Sequence, residues 1–446
     1  MAFQTIRGTF DVLPDAQDSG GAEVPGSAAW RWAEGVVRGV MARFAFEEIR
    51  TPVLEPLDLV ARGVGATTDI VSKEMFVVER SKESYVLRPE VTAPVMRAFL
   101  QHHLAQRGGA QRLFYVGPCF RAERPQKGRF RQFHQWGTEL IGSDDARADA
   151  ETVANMRAVY DAFGVTGTRL RLNSIGDAAD RPAFRDALRE HFAPHADRLS
   201  ETSRQRLDAN PLRILDTKDP AERALLDGAP VLTDFLGDAA RAHHDRVKSL
   251  LDGLGVPYVE DPLLVRGLDY YTRTVFELES DALGAQGALA AGGRYDGLAE
   301  AVGSKQPVPA VGYAAGFERL FIALAEAGTE LPSAPAPDVF LVCLGDAAEA
   351  AGLGIAQALR RSGLAVDFAL GGRSMKAQMK AADRSGAATA VVIGDDELAA
   401  GVAQVRDLGA SEQRPVAIAA LAATLAATLA ATLAATRETG PAPARG

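Results

Sequence analysis

The chain has 446 residues, 47% apolar and 24% charged, enough for two or three domains with their own cores and ordinary for a globular protein in water. No run of about 18 or more strongly apolar residues occurs, which excludes an ordinary membrane-spanning helix, and two cysteines, Cys119 and Cys343, support neither a disulfide framework nor a thiolate metal site. The formal net charge of −9 argues against nucleic-acid binding as a bulk property, so any polyanion has to be met by local basic patches.

In chain order, the opening MAFQTIRGTFDVLP lacks the basic-then-apolar pattern of a secretory leader, and a cytoplasmic protein without a membrane partner is expected. Residues 30–44 place Trp30, Ala33, Val37, Val40, Met41 and Phe44 at helical spacing, a face able to pack on a sheet. Within residues 49–56, Pro52 cannot donate to a central ladder, which predicts an edge or an interface. Leu87-Arg88-Pro89-Glu90-Val91-Thr92-Ala93-Pro94 precedes a helical pattern through Leu100, and Glu90 and Thr92 suit a helix cap.

Residues 112–142 are the most informative stretch. Leu113-Phe114-Tyr115-Val116 reads as a buried strand ending at Gly117-Pro118, and residues 133–141 read as its antiparallel return. The loop between them carries Arg121, Arg124, Lys127, Arg129 and Arg131 against Glu123 alone. Five clustered cations need a polyanion to offset their repulsion, and phosphates are natural candidates. Gln135 and Glu139, four apart, fall on one face of the returning strand. An amide and a carboxylate beside an arginine-rich loop suit a substrate bearing both an amine and a phosphate; an ordinary hairpin with solvated charges is the plain alternative.

Residues 148–163 predict an amphipathic helix and residues 169–175 a strand ending at Gly176. From about 180 to 249 the spacing is helical, broken at Asn210-Pro211 and Asp219-Pro220, which predicts a separate helical insertion. In LVRGLDYYTRTVFE, residues 264–277, Arg266 offers a fixed cation, and Tyr270 and Tyr271 offer phenols that stack and hydrogen-bond, although tyrosine pairs more often serve a core. AAGGRYDGL, residues 290–298, reads as a glycine-rich turn open to close ligand approach, and residues 312–320 as a strand leading into a helix. Residues 326–338 have a linker composition. Beyond them, strands at 339–343, 365–368 and 389–393 alternate with helices at 347–361 and 376–385, predicting a small α/β domain with a largely parallel sheet. Residues 421–436 repeat LAAT four times, giving a slowly winding leucine stripe, and residues 440–446 are expected to be disordered.

FRAERPQKGRFRQFHQ, residues 120–135, resembles motif 2 of class II aminoacyl-tRNA synthetases in the form found in the histidyl-tRNA synthetase family. LVRGLDYYTRTVFE and AAGGRYDGL resemble that family's own signatures, residues 49–56 resemble motif 1, and residues 312–320 resemble motif 3. IRGTFD, NPLRILD and GRSMKAQMKAAD extend the likeness from Ile6 to about Leu408. The resemblance implies an α+β catalytic domain with an antiparallel class II synthetase sheet at 1–325, a helical insertion at about 180–250, and a linker at 326–337. A C-terminal α/β anticodon-binding domain at 338–418 and an alanine-rich repeat and tail at 419–446 complete it.

It also implies ATP-dependent charging of tRNA(His) with L-histidine through a histidyl-adenylate, with ATP as substrate, Mg²⁺ alongside, and a homodimer built through motif 1. Arg266 and Arg121 would be catalytic, and Arg121, Glu123, Arg266 and Arg319 would hold ATP. Glu90, Val91, Thr92, Gln135, Glu139, Tyr270 and Tyr271 would hold histidine, with Val91 standing where the family often has Gly. Gln126 and Arg131 would meet the tRNA acceptor end. No metal ligand is assigned. A non-aminoacylating regulatory subunit of ATP phosphoribosyltransferase is the alternative, but such relatives typically lack the anticodon domain and degrade these motifs. A plain RNA-binding module leaves Glu139 beside two tyrosines without a purpose.

Overall fold

Short runs of alternating apolar and small residues cannot stand alone, and in this computed structural model eight of them pair into one sheet. The structure describes residues 3–19, 22–65, 68, 70–80, 83–217, 219–410 and 412–439; the expected disordered tail at 440–446 lies outside them. The chain divides into two units, residues 1–333 and 334–446.

The strands of the large sheet are β1 (Glu47–Glu48), β2 (Gln111–Phe120), β3 (Gln132–Ile141), β4 (Thr168–Ser174), β5 (Val259–Glu260), β6 (Thr272–Ser280), β7 (Ala288–Arg294) and β8 (Ala310–Gly316). Their order is β5-β4-β6-β7-β8-β3-β2-β1, antiparallel except for the outer pairs β5–β4 and β1–β2. Two local expectations change. β2 runs through Gly117-Pro118 to Phe120, because β1 pairs only with Leu113 and Phe114 and leaves the rest of β2 an open edge that tolerates Pro118. The AAGGR stretch is strand, not turn. Gly292 and Gly293 lie inside β7, where a Cβ on Gly293 would stand 2.9 Å from the Tyr271 ring. The close approach there is made by the protein itself.

One face of the sheet, with Trp136, Leu140 and Tyr313, is covered by helices Ser27–Arg43, Ala146–Ala162, Asp238–Gly253 and Phe317–Glu326. The last helix of the expected insertion thus packs behind the sheet, against Ala146–Ala162. The other face, with Leu113, Tyr115 and Ile141, meets helix Thr92–Gln101 and the insertion side chains Phe184, Leu188, Phe192, Leu212 and Ile214 in one continuous apolar core. A three-stranded sheet of Leu54–Pro56, Phe76–Arg80 and Glu83–Leu87 stands beside it.

In the second unit, strands Val366–Phe368, Val339–Leu344 and Thr389–Gly394 are parallel, and Val402–Asp407 and Gln413–Ala417 add two antiparallel strands. The sheet is therefore mixed; the added strands are short and polar, and one carries Pro415, so apolar periodicity misses them. Beyond the short neighbouring strand, the buried Gln378 amide takes a strand's place, donating to Cys343 O at 2.7 Å and accepting from Cys343 N at 3.1 Å. Helix Leu421–Thr439 docks through Leu421 and Leu425 into the core that helix Asp346–Arg361 also covers.

A buried ion pair ties the first unit together. Arg294, at the end of β7, and Asp149, in the first turn of Ala146–Ala162, both have side chains with no exposure, and they meet through two guanidinium nitrogens. Arg294 also reaches Asp296 at 3.1 Å and Ser143 O at 2.9 Å, and His243 Nε2 lies 3.3 Å from Asp149. Removing one partner strands the other charge in the core. Arg294→Met is expected to cost about 3–5 kcal/mol of unfolding free energy in urea titrations followed by tryptophan fluorescence; a loss under about 1 kcal/mol would show that the pair does not hold the unit together.

Candidate active site

The site begins with a steric requirement on β3 and β8. Gly312 on β8 lies opposite Glu139 on β3, and any Cβ there would collide with the Glu139 carboxylate and Thr138 O. Glycine lets the carboxyl lie flat on the sheet, buried to 1% exposure. Its Oε1 accepts from Thr92 Oγ1 at 2.7 Å, and its Oε2 accepts from the Tyr295 phenol. Burial pushes Glu139 from the ordinary 4.5 up to about 8, against the pull of the Tyr295 and Thr92 hydrogen bonds and with a further push from Glu90. Gly137 makes a similar seat for Tyr115, whose buried phenol oxygen has no hydrogen-bond partner among the described residues.

Above this floor lies a cavity of about 190 Å³. Glu90, Thr92, Gln135, Tyr270, Tyr271, Arg121, Glu123, Arg266 and Arg319 all line it, although they come from four separated stretches of chain. The Tyr270 and Tyr271 rings sit 4.6 Å apart, and Tyr270 meets Tyr295 edge-on at 5.6 Å. Glu90 serves two purposes: it lines the cavity and caps helix Thr92–Gln101, taking Thr92 N at 2.7 Å and Ala93 N at 3.0 Å. Cys119 donates from its thiol to Gln135 Oε1 at 3.3 Å; burial pushes that thiol up to about 12, so it stays protonated. The Gln135 NH₂ is left without a partner among the described residues, a donor available to a ligand oxygen.

The guanidiniums gather at the same cavity. Arg121 lies over the Phe133 ring at 5.3 Å and donates to Pro89 O at 3.1 Å. Arg319 donates to Ala288 O at 2.7 Å and Gly128 O at 3.4 Å. Neither makes an ion pair among the described residues. Burial, then the neighbouring Arg129 and Arg121, holds Arg319 below its ordinary value, a cation in want of an anion. Arg266 is paired with Glu277 on β6, while its Nε is buried without a hydrogen-bond partner among the described residues. Glu123 pairs with Arg129 at 2.9 Å, and Lys127 with Glu326 at 3.3 Å, so part of the basic loop is neutralised internally.

Four residues singled out from the sequence fall outside the cavity wall. Glu139 lies beneath it, hydrogen-bonded to the lining residues Thr92 and Tyr295. The Val91 side chain packs into the apolar core, because the turn that aims Glu90 and Thr92 at the cavity turns it inward. Gln126 closes a turn with Arg129, and Arg131 donates to Arg7 O at 3.3 Å and Glu123 O at 3.4 Å, anchoring the N-terminal segment to the loop. Two residues of the site carried no role in the sequence reading. Tyr295 sits in AAGGRYDGL, yet only the fold brings it to Glu139. Glu318 accepts from His134 N at 2.8 Å, joining helix Phe317–Glu326 to β3.

Residues 25–320 match the family model described as histidyl-tRNA synthetase, and residues 338–428 match an anticodon binding domain. The chain is 47% identical over 418 residues to the histidine–tRNA ligase of Chloroherpeton thalassium, covering 93% of this chain and 95% of the relative. It is 46% identical over 414 residues to that of Thermosynechococcus vestitus, covering 93% and 94%. Among solved structures, apo histidyl-tRNA synthetase from S. aureus superposes with a TM-score of 0.79 at 35% identity, over 95% of this chain and 100% of that one. An ATP phosphoribosyltransferase regulatory subunit/histidyl-tRNA synthetase from Bacillus halodurans C shares the fold, with a TM-score of 0.61 at 23% identity over 88% and 99%.

The raised Glu139 carboxyl has a measurable consequence. The native state keeps a proton that the unfolded chain releases, so this contribution to stability is whole below pH 4.5 and is lost as the pH rises to about 8. In urea titrations the unfolding free energy of the parent, measured against that of Glu139→Gln, should fall across that window and level off above it. A flat difference would show that Glu139 is ionised in the native pocket.

Proposed function

The chain belongs to the histidyl-tRNA synthetase family and joins L-histidine to tRNA(His) with ATP through a histidyl-adenylate, and we propose the following division of labour among its residues. The imidazole lies between Glu139 and the Tyr270 and Tyr271 phenols, with a ring N–H donated to the carboxyl. Glu90 meets the α-ammonium beside Thr92, and the Gln135 amide donor orients an oxygen of the substrate. A pocket built to hydrogen-bond the imidazole rejects isosteres lacking the N–H, which would leave the buried carboxyl unanswered. The observation that carries this reading is the single cavity that Glu90, Thr92, Gln135, Tyr270 and Tyr271 share with the guanidiniums of Arg121, Arg266 and Arg319, with Glu139 hydrogen-bonded to its lining residues Thr92 and Tyr295.

In the first step the histidine carboxylate attacks the α-phosphorus of ATP and pyrophosphate leaves. Arg266 and Arg121 balance charge developing at the α-phosphate, Arg319 holds the γ-phosphate, and Glu123 faces the nucleotide. In the second step the 3′-terminal ribose hydroxyl of the tRNA takes the acyl group and AMP leaves. No side-chain nucleophile is required. Magnesium, expected with ATP, would offset phosphate charge there, and the cavity carboxylates Glu123 and Glu318 are the protein groups that would hold it.

Residues 1–325 act as the catalytic domain, with its insertion at about 180–250 and a linker at 326–337, and residues 338–418 bind the anticodon arm. Lys376, Lys380 and Arg384 form an exposed basic stripe along helix Met375–Ser385, suited to a phosphate backbone. Gln126 and Arg131 lie in the motif 2 loop toward the acceptor end. The enzyme works in the cytoplasm as a homodimer formed through residues 49–56. The exposed Leu54, Val77 and Val78 of the three-stranded sheet supply apolar surface for that contact.

ATP–pyrophosphate exchange with purified protein tests the reading. Exchange should require histidine, and Arg266→Ala should lower kcat/KM at least about a hundredfold. Exchange within about threefold of the parent would remove Arg266 from its role at the α-phosphate, and a histidine-independent or absent exchange in the parent would overturn the whole assignment.

A further inference from the structure

Residues 265–271 carry Arg266, Tyr270 and Tyr271, yet they belong to no helix or strand. Among the described residues, this segment makes one backbone–backbone hydrogen bond, from Asp269 N to Val64 O at 3.2 Å. A segment so poorly tied opens easily unless side chains hold it. Besides the pair between Arg266 and Glu277 on β6, such side chains come from the insertion. Arg213 donates to Gly267 O at 2.7 Å and to Asp269 Oδ1 at 3.2 Å, Asn210 adds a longer bond to Asp269 at 3.4 Å, and Arg181 donates to Tyr271 O.

The anchors are themselves fixed. Arg213 lies in the turn Pro211–Ile214 between the buried Leu212 and Ile214, its side chain only 11% exposed. Arg181 opens helix Arg181–Phe192, whose Phe184, Leu188 and Phe192 sit in the core that also takes Tyr270 and Tyr271. Helix, turn and pocket wall therefore share one apolar body, with the guanidiniums reaching from it to the carbonyls of the loop.

We propose that the helical insertion is a clamp on the substrate loop, with Arg213 as the positioning residue that sets its geometry. Two of the loop's carbonyls and its one carboxylate are held by groups 54 to 90 residues away in sequence, so the pocket is finished only when the insertion has folded against it. Arg213 touches no reacting atom; it acts through Gly267 and Asp269 on the placement of Arg266 and the tyrosines. The kinetic part of this inference rests on the pocket assignment above, whereas the clamp itself does not.

Hydrogen–deuterium exchange on the full-length protein, paired with histidine-dependent ATP–pyrophosphate exchange, separates the two. In Arg213→Ala, peptides covering 264–272 should exchange at least about tenfold faster, since a charge-assisted hydrogen bond is lost, while peptides covering 184–192 and 132–141 keep the parent's protection. The KM for histidine should rise about tenfold, and Arg213→Lys, which keeps one charged donor, should recover part of the loss. Unchanged exchange in 264–272 overturns the clamp, and so does equal loosening of 184–192, which would make Arg213 a fastener of the insertion alone. Loosening of the loop with an unchanged KM would overturn its link to substrate binding. A parent without histidine-dependent exchange would defeat the pocket assignment and leave the deuterium result to decide the clamp.

Discussion

A carboxyl group buried in the middle of a sheet is the constraint around which this pocket is built. Glu139 can lie there only because Gly312 offers no side chain, because Thr92 opens the helix that crosses the sheet, and because Tyr295 arrives from the end of β7. Each donor is neutral, so the carboxyl is satisfied without being neutralised by a cation. That choice matters for a substrate that brings its own N–H. A cation at that position would compete with an imidazole for the same oxygens, whereas hydroxyl donors fix the carboxyl and leave lone pairs over.

The opposite end of the cavity is arranged on the reverse principle. Arg121 and Arg319 spend their hydrogen bonds on main-chain carbonyls, whereas Arg266 and Arg129 are matched with carboxylates. Carbonyls orient a guanidinium without cancelling its charge, so the cavity holds an excess of positive charge that a polyphosphate offsets. The formal net charge of −9 poses no obstacle, because the excess is local and walled by Phe133, Leu289 and the glycine-rich backbone of β8.

Periodicity made most of the elements legible. The helix before residue 44, the two long strands around the basic loop, and the strand-to-helix passage near Gly316 follow from apolar spacing. The motif strings named the residues that line the cavity, since charged and aromatic groups in apolar surroundings stand out locally. What escaped was whatever depends on distant partners. Val91 sits between two cavity residues, and only the actual turn shows that it faces the core. Tyr295 reads as one more aromatic until Glu139, 156 residues away, is placed beneath it. The glycines of β7 read as ligand-approach points, but Gly292 and Gly293 make room for Tyr313 and Tyr271, since a missing side chain does not say what fills its place.

The same logic explains why the insertion cannot be an independent attachment. An inserted domain that merely hung from the sheet would bury its own apolar face and leave polar groups along the junction. Here Leu264, Tyr270 and Tyr271 of the loop and Phe184, Leu188 and Ile214 of the insertion belong to one core, so neither side can withdraw without exposing the other. Among the described residues, buried Nε atoms on Arg181, Arg185, Arg213 and Arg266 have no hydrogen-bond partner along this seam. Unsatisfied buried donors are costly, and a fold keeps them where apolar packing holds them in place more strongly than solvation would draw them out. The pocket's precision is therefore borrowed from a core that lies mostly outside it.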